Sequence, residues 1–594
     1  MKTINDFSIT IGTINGSGSQ SSNNILVRTL FHMGLPVSGK NLFPSNIAGL
    51  PTWFTIRISA EGHLSRKDEN DIVIGMNADS LIKDQNSTKK SGVFIYNIDL
   101  KVPLFKQRDD ILCIPIPFKQ IVNEVSDSIK LKKLLTNMIY VGVISQLLGI
   151  DIDVLHKTIQ KNFSDKPQVI DINVKAINAG WEYAEKNLDY KTFPYKVKFI
   201  ENANDNKILI DGNTASAIGL LFGGCSFMSW YPITPSSSVA EMFHAYSNKY
   251  RKTTDGKNNF AIVQAEDELA AISMVIGAGW TGARAVTPTS GPGLSLMAEA
   301  AGLSYFAEVP AVIWDVQRVG PSTGLPTRTM QGDLLAAYHL SHGDTKHIVL
   351  LPANPNECYE FGKTSLDLAE RLQTLVVVLS DLDLGMNYWI SDRFQKSQEA
   401  LDRGKVYRED DLIDHPEFAR YQDVDGDGIP YRTLPGTYHP KAAYFTRGTG
   451  HDERALYSED NENFRKLMNR LAKKHETAKK YVPQPIVQGQ GAIGLIAYGS
   501  SHPAVEDLQN ILLKEGNATS YMRIRALPLV EEIKHFITKN DITYVIEQNR
   551  DAQLMRVLLA EWPELHAKVK SITQYDGLPL AANYLYGQFK ELNS

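Results

Sequence analysis

The chain has 594 residues, 43% of them hydrophobic and 22% charged. At about 150 residues per domain this length suggests three or four domains, each with enough apolar side chains to bury a core. The composition excludes collagen, coiled coil and wholesale disorder. Lys plus Arg number 62 against 67 Asp plus Glu, a net charge of −5. No basic block is long enough to follow a phosphate backbone, so nucleic acid is not an expected partner.

Three cysteines, Cys113, Cys225 and Cys358, are too far apart for a cluster-binding signature, so no iron–sulfur centre is expected on this chain alone. The N-terminus, MKTINDFSIT, lacks a signal-peptide apolar core, and no stretch reaches the 18 apolar residues of a membrane span. A cytoplasmic, reduced protein that does not engage membranes is expected.

In chain order, Phe7 to Ile11 predicts a strand, Asn15-Gly16-Ser17-Gly18-Ser19 a turn, and Ile25, Leu26, Leu30 and Phe31 a helix. Apolar strands at 71–77 and 91–98 and helices around 129–148 and 171–188 continue the alternation, giving one α/β domain over 1–195. A polar stretch, Glu201 to Lys207, marks a boundary before a second alternating region at 205–385. Residues 386–485 are charged and irregular, a connector ending in a basic helix near 462–480. From 486 to 594 the alternation resumes, with strands at 492–498, 518–524 and 542–547 and helices at 503–514 and 528–538. The fold class is multidomain α/β.

Three strand-to-helix junctions in the second region could carry chemistry. At the first, Cys225 to Trp230 leads into Tyr231-Pro232-Ile233-Thr234-Pro235-Ser236-Ser237-Ser238. Thr234 or Ser238 could cap the following helix, with Pro235 at its first turn and Ser238 with Glu241 as a capping box. Alternatively, hydroxyls and helix-end N–H groups at the carboxyl end of a parallel strand face a ligand crevice and suit an anion. The second junction sets Glu266-Asp267-Glu268 at one helix start. Favourable interaction with the helix dipole explains one or two of these acids more readily than three. The third delivers Arg318, a planar donor fork suited to a carboxylate, into Val319-Gly320-Pro321-Ser322-Thr323-Gly324.

YPITPSS at 231–237, QAEDELAAISMVIGAGWTGARAVTPTSGPGLSLM at 264–297 and DVQRVGPSTGLPTRTMQGDL at 315–334 resemble the α subunit of 2-oxoacid:ferredoxin oxidoreductases. The chain is most similar to the 2-oxoglutarate type, in which a γ domain is fused ahead of the α part. The resemblance implies a γ-type domain at 1–195, a thiamine diphosphate pyrimidine-binding domain at 205–385 and a transketolase C-terminal-like domain at 486–594. It implies coenzyme A-dependent oxidative decarboxylation of 2-oxoglutarate, or a related 2-oxoacid such as pyruvate or a branched one, with electrons passed to ferredoxin, in either direction. Glu268, chosen over Glu266, matches the glutamate that contacts the aminopyrimidine of thiamine diphosphate. Thr234, within Tyr231, Pro232, Ile233 and Pro235, would bind the 2-oxoacid, and Arg318 its carboxylate.

The resemblance further implies a separate β subunit carrying the diphosphate and Mg²⁺ site and a 4Fe–4S cluster, in a heterodimer or dimer of heterodimers; no metal site is expected here. Gly426-Asp427-Gly428 mimics the family's Mg²⁺ motif, but no buried strand precedes it and no asparagine follows until Asn461. Nor does the run from Asp423 complete a calcium loop, since Leu434 stands where glutamate is wanted; a turn-rich loop with room for a cation is expected. The γ-type glycine turn keeps Gly16, Gly18 and Gln20 but replaces two glycines by serine. A structural turn is therefore expected, contributing to coenzyme A binding together with Lys40. A second substrate carboxylate would need a further cation, from Arg284, Arg328, Lys346 or the β subunit. Two other classes compete: a nicotinamide- or flavin-dependent dehydrogenase built on the glycine turn, and a non-catalytic subunit that has kept the fold.

Overall fold

The computed structural model describes residues 2–45, 49–164 and 166–593. Three mainly parallel sheets organise them. The first has six strands in the order Val37–Leu42, Pro51–Ser59, Asp6–Ile14, Asn70–Gly75, Thr88–Asn97 and Leu112–Ile116. Helices Ser19–His32, Ile129–Leu148, Ile152–Asn162 and Pro167–Asn187 pack with it around one apolar cluster.

Two of these strands, Val37–Leu42 and Pro51–Ser59, depart from the expected βα alternation: they form an antiparallel pair inserted before the strand at Asn70. Val37–Leu42 reads as polar, VSGKNL. It is nonetheless largely buried because Lys40 is neutralised inside the fold, its Nζ lying 2.6 Å from Asp383 Oδ1 and 3.9 Å from the centre of the Trp389 ring.

The second sheet orders Ala261–Gln264, Phe227–Trp230, Ala285–Thr289, Ala311–Gln317, Leu375–Asp381, Ile348–Leu350 and Ala526–Leu527. Its central strands, AVIWDVQ and LVVVLSD, are buried along their whole length, as expected of parallel strands covered on both faces. The third sheet runs Ile486–Gly489, Thr519–Arg523, Ile493–Ala497, Ile542–Glu547 and Val569–Thr573, with the first strand antiparallel to its neighbour. The two-residue strand Ala526–Leu527 pairs antiparallel with Val349 and Leu350, so the C-terminal segment completes the edge of the central sheet.

Gln331 closes the same seam. Its side-chain oxygen accepts from the Gln548 backbone N–H at 3.1 Å and from the Ser501 hydroxyl at 3.0 Å, and its amide donates to the Tyr498 carbonyl at 3.0 Å.

The connector carries helices Glu409–Asp414 and Asn461–Ala478 with irregular chain between them. Its Asp423–Gly428 loop is a closed turn: Asp423 accepts from the backbone N–H groups of Asp427 and Gly428, both at 3.0 Å. The cation it holds is the Lys405 ammonium, 2.7 Å from Asp425 and 2.8 Å from Asp427. Among the described residues no group of three or more His, Cys, Asp or Glu could hold a metal ion, and no helix is long and apolar enough to cross a membrane.

Candidate functional site

Four strands of the central sheet end on one edge, and the turns leaving them form the site. Helix Ser237–Tyr250 follows strand Phe227–Trp230 after a turn in which the Ile233 carbonyl accepts from Ser236 N–H at 2.9 Å and Ser237 N–H at 3.1 Å. The capping expectation is corrected here. Ser236 is the N-cap and makes no side-chain capping bond. Thr234 and Pro235 lie ahead of the helix and are joined by a cis peptide. The Ser238 hydroxyl is engaged by the Asn213 amide at 2.8 Å. Thr234 is exposed, as are Tyr231 and Pro232, while Ile233 is half-buried and Pro235 buried.

At the second junction the three acids divide. Asp267 caps helix Glu268–Trp280 by accepting from Ala270 N–H at 2.7 Å, and Glu266 is exposed. Glu268 is turned inward and only 7% exposed. It lies against Ser290–Gly293, the turn that follows strand Ala285–Thr289. A Cβ on Gly293 would fall 2.1 Å from Thr289 Oγ1 and 2.7 Å from Glu268 Cγ, so only glycine allows this approach. Among the described residues no donor meets the Glu268 carboxyl. A carboxyl held at that point without a protein donor is open to a donor from a ligand.

Arg318, 7% exposed, leaves strand Ala311–Gln317 and donates from Nη1 to the Thr234 carbonyl at 2.7 Å and from Nη2 to the Thr323 carbonyl at 3.1 Å. The first and third junctions are thereby joined. The return of the 319–325 loop depends on Gly324, at φ +52°, where a Cβ would strike the Val319 carbonyl. The rim formed by 320–325 is exposed, as is the edge strand Ala261–Gln264 at its two ends.

Of the cations considered for a second carboxylate, Arg284 is committed to structure: it pairs with Asp367 and Glu370 and donates to the Gly223 carbonyl at 2.5 Å. Arg328 donates to the Phe43 carbonyl at 2.8 Å, and Lys346 faces Glu561 at 4.0 Å on the surface.

A cavity of about 350 Å³ opens between the six-stranded sheet, residues 327–329 and residues 577–579. Lys40, Arg66, Lys67 and Lys83 line it together with Trp53. Gly16 and Gly18 do not. They turn at φ +81° and +83°, Gly18 beside Leu134, and Asn137 donates to the intervening Ser17 carbonyl at 2.9 Å. Of the residues grouped for coenzyme A, Lys40 lines this cavity and the two glycines are not among its lining residues.

Comparison with known proteins bears on this arrangement. The family model described as pyruvate flavodoxin/ferredoxin oxidoreductase, thiamine diphosphate-binding, matches residues 218–420, and the pyruvate ferredoxin/flavodoxin oxidoreductase model matches residues 8–183. The 2-oxoacid:ferredoxin oxidoreductase subunit alpha of Saccharolobus solfataricus is 31% identical over 565 residues, covering 87% of this chain and 86% of that protein. The chain belongs to the 2-oxoacid:ferredoxin oxidoreductase α-subunit family. Within that family, the 2-oxoglutarate synthase subunit KorA of Archaeoglobus fulgidus is 33% identical over 343 residues, 57% of this chain and 88% of that protein. The 2-oxoglutarate:ferredoxin oxidoreductase of Magnetococcus marinus, solved with 2-oxoglutarate, coenzyme A and succinyl-CoA bound, superposes with a TM-score of 0.89 at 28% identity over 99% of both chains. This is an oxidoreductase family built as subunits, and the match over 8–183 belongs to it rather than to a nicotinamide- or flavin-dependent dehydrogenase.

Proposed function

We propose that this chain, as a fused γ–α subunit, forms with a β subunit an enzyme that oxidatively decarboxylates 2-oxoglutarate in a coenzyme A-dependent reaction, passing electrons to ferredoxin. The observation that carries this reading is the convergence on one sheet edge of an inward-facing Glu268 with no protein donor and an Arg318 bonded to the Thr234 backbone.

In this reading residues 205–385 form the pyrimidine-binding domain, 1–195 the γ-type domain, 386–485 the connector and 486–594 the transketolase C-terminal-like domain. Thiamine diphosphate, when bound, supplies the nucleophilic carbon and stores the electrons. Glu268 fits it as an inward-facing carboxyl with no protein donor, able to hydrogen-bond the aminopyrimidine and exchange a proton there. Arg318, held by the Thr234 and Thr323 carbonyls, offers its remaining donors to the substrate carboxylate. The Thr234 hydroxyl, on the Tyr231–Pro235 turn, meets the 2-oxo group. The cavity beside Lys40 receives part of coenzyme A, with Lys83 and the acid-paired Arg66 and Lys67 facing its phosphates and Trp53 its adenine. Lys40 itself, paired with Asp383, shapes the wall. Mg²⁺, the diphosphate and a 4Fe–4S cluster belong to the β subunit, and the assembly is a cytoplasmic heterodimer or its dimer.

The test is to purify the tagged chain anaerobically with whatever accompanies it and measure coenzyme A-dependent viologen reduction with 2-oxoglutarate and pyruvate side by side. Glu268→Ala should abolish turnover while leaving assembly intact, and Arg318→Ala should raise KM for the 2-oxoacid. Near-normal turnover in the first variant, or an unchanged KM in the second, sinks the corresponding role.

A further inference from the structure

Behind Arg318 two acidic side chains meet in the interior. Asp315 lies in strand Ala311–Gln317 and is fully buried; Asp333 immediately precedes helix Leu334–Tyr338. Their carboxyls are within hydrogen-bonding reach of each other. The Asp333 backbone N–H is anchored on the Gln317 side-chain oxygen at 3.0 Å, and a Cβ on Gly291 would lie 2.9 Å from an Asp333 carboxyl oxygen, so the pair supports the turn that carries Gly293 beneath Glu268. Among the described residues neither Asp315 oxygen nor Oδ2 of Asp333 meets a donor, and Nε of Arg318 meets no acceptor. Two carboxylates so placed repel each other, whereas one proton converts the contact into an O–H···O⁻ hydrogen bond.

We propose that Asp315 and Asp333 hold a single shared proton, and that this acid pair positions Arg318: presenting one negative charge instead of two, it balances the guanidinium without drawing it away from the substrate carboxylate. The proposal rests on Arg318 being the carboxylate-binding residue. Burial, joined for Asp315 by the charge of Asp333, holds both carboxyls above the ordinary carboxylate range. The groups around them are few. Arg318 is the cation. Tyr498, from the C-terminal segment, is buried, held in its neutral form, and feels the Asp333 charge. The neighbouring strands present Thr289 and Leu379 opposite Asp315, and the Gly291–Gly293 turn has no titratable group.

Loss of the shared proton as pH rises adds a second negative charge beside Arg318, which then competes with the substrate. KM for the 2-oxoacid should rise about tenfold across that ionisation, a change of about one pK-unit equivalent. Asp333→Asn keeps the shape and can donate to Asp315 without a titrating proton, so its KM should lose this rise; Asp315→Asn is the companion variant should the first fold poorly, with thermal melting as the check on folding. Independently of activity, difference infrared spectra of the full chain should show a protonated-carboxyl band at neutral pH that either substitution removes. Persistence of that band in both variants, or its absence from the parent, overturns the shared proton. A KM–pH profile in the Asn variants superposing on the parent's overturns the positioning role. An unchanged KM in Arg318→Ala strikes instead at the reading of Arg318, which separates the two failures.

Discussion

Glu308 offers a prediction whose magnitude follows from the structure. It sits just beyond helix Ala298–Ala307 with a side chain that has no exposure. Arg470 reaches it with both Nη atoms and Lys474 Nζ lies 2.8 Å from its Oε2, both from helix Asn461–Ala478. Arg420 donates to its backbone carbonyl at 2.9 Å. Glu308→Gln keeps the shape but strands two buried cations. Removing one partner of a buried ion pair costs about 3–5 kcal/mol, against the ~0–1 kcal/mol of a surface pair.

The loss should appear where the charges are stranded, as easier opening of helix Asn461–Ala478. At ~1.4 kcal/mol per decade, amide hydrogen exchange there should accelerate by roughly two to three and a half decades, with little change in the six-stranded sheet. Burial alone would raise the Glu308 carboxyl, but the Arg470 and Lys474 charges prevail and hold it well below its ordinary value of 4.5. A depressed acid stabilises the fold above that value and loses its contribution as pH falls beneath it, so parent and variant should converge in acid. Exchange in the variant helix within tenfold of the parent at neutral pH would refute the reasoning.

Gly293→Ala places a methyl carbon 2.1 Å from Thr289 Oγ1 and 2.7 Å from Glu268 Cγ; displacing Glu268 should lower turnover by at least about tenfold, with folding retained by circular dichroism, and undiminished turnover would show that Glu268 is not held there. His475 is pushed down to about 3, chiefly by burial and then by the Lys346 and Lys479 charges. It is therefore neutral when folded but gains a proton when unfolded below 6.5, so stability should fall from pH 6.5 toward 3 by at most about 1.4 kcal/mol per unit. Urea titrations of His475→Leu should show a shallower decline, and an identical slope would exclude His475 as a source. Because Lys405 already neutralises the Asp423–Gly428 loop, neither a chelator nor added calcium should shift the melting of this chain; a calcium-dependent rise would overturn that account.

Local pattern determined much of this protein. The strand–turn–helix periods at Phe7–Phe31 and at 492–547 survive folding almost unchanged because period and turn residues act over a few positions. The three junctions were legible for the same reason: in each an apolar strand ends in a polar turn, and in the first two a helix follows within a few residues. Which side chain of each turn faces the crevice was not legible. Glu268 rather than Glu266 turns inward because Asp267 takes the cap and Gly293, 25 residues on, vacates the space.

Contacts distant in sequence were decided only by tertiary structure. The polar strand Val37–Leu42 enters a sheet because Asp383, 343 residues away, neutralises Lys40. Arg284 is withdrawn from any substrate role by Asp367 and Glu370. Ala526–Leu527 completes the central sheet through two residues, too few to leave a periodic signal. The Asp315–Asp333 pair arises because a strand and a later helix return to the same buried point. A sequence displays the propensity of each segment, but the neutralisation of a buried charge depends on which segments meet, and that is set by the packing of the whole chain.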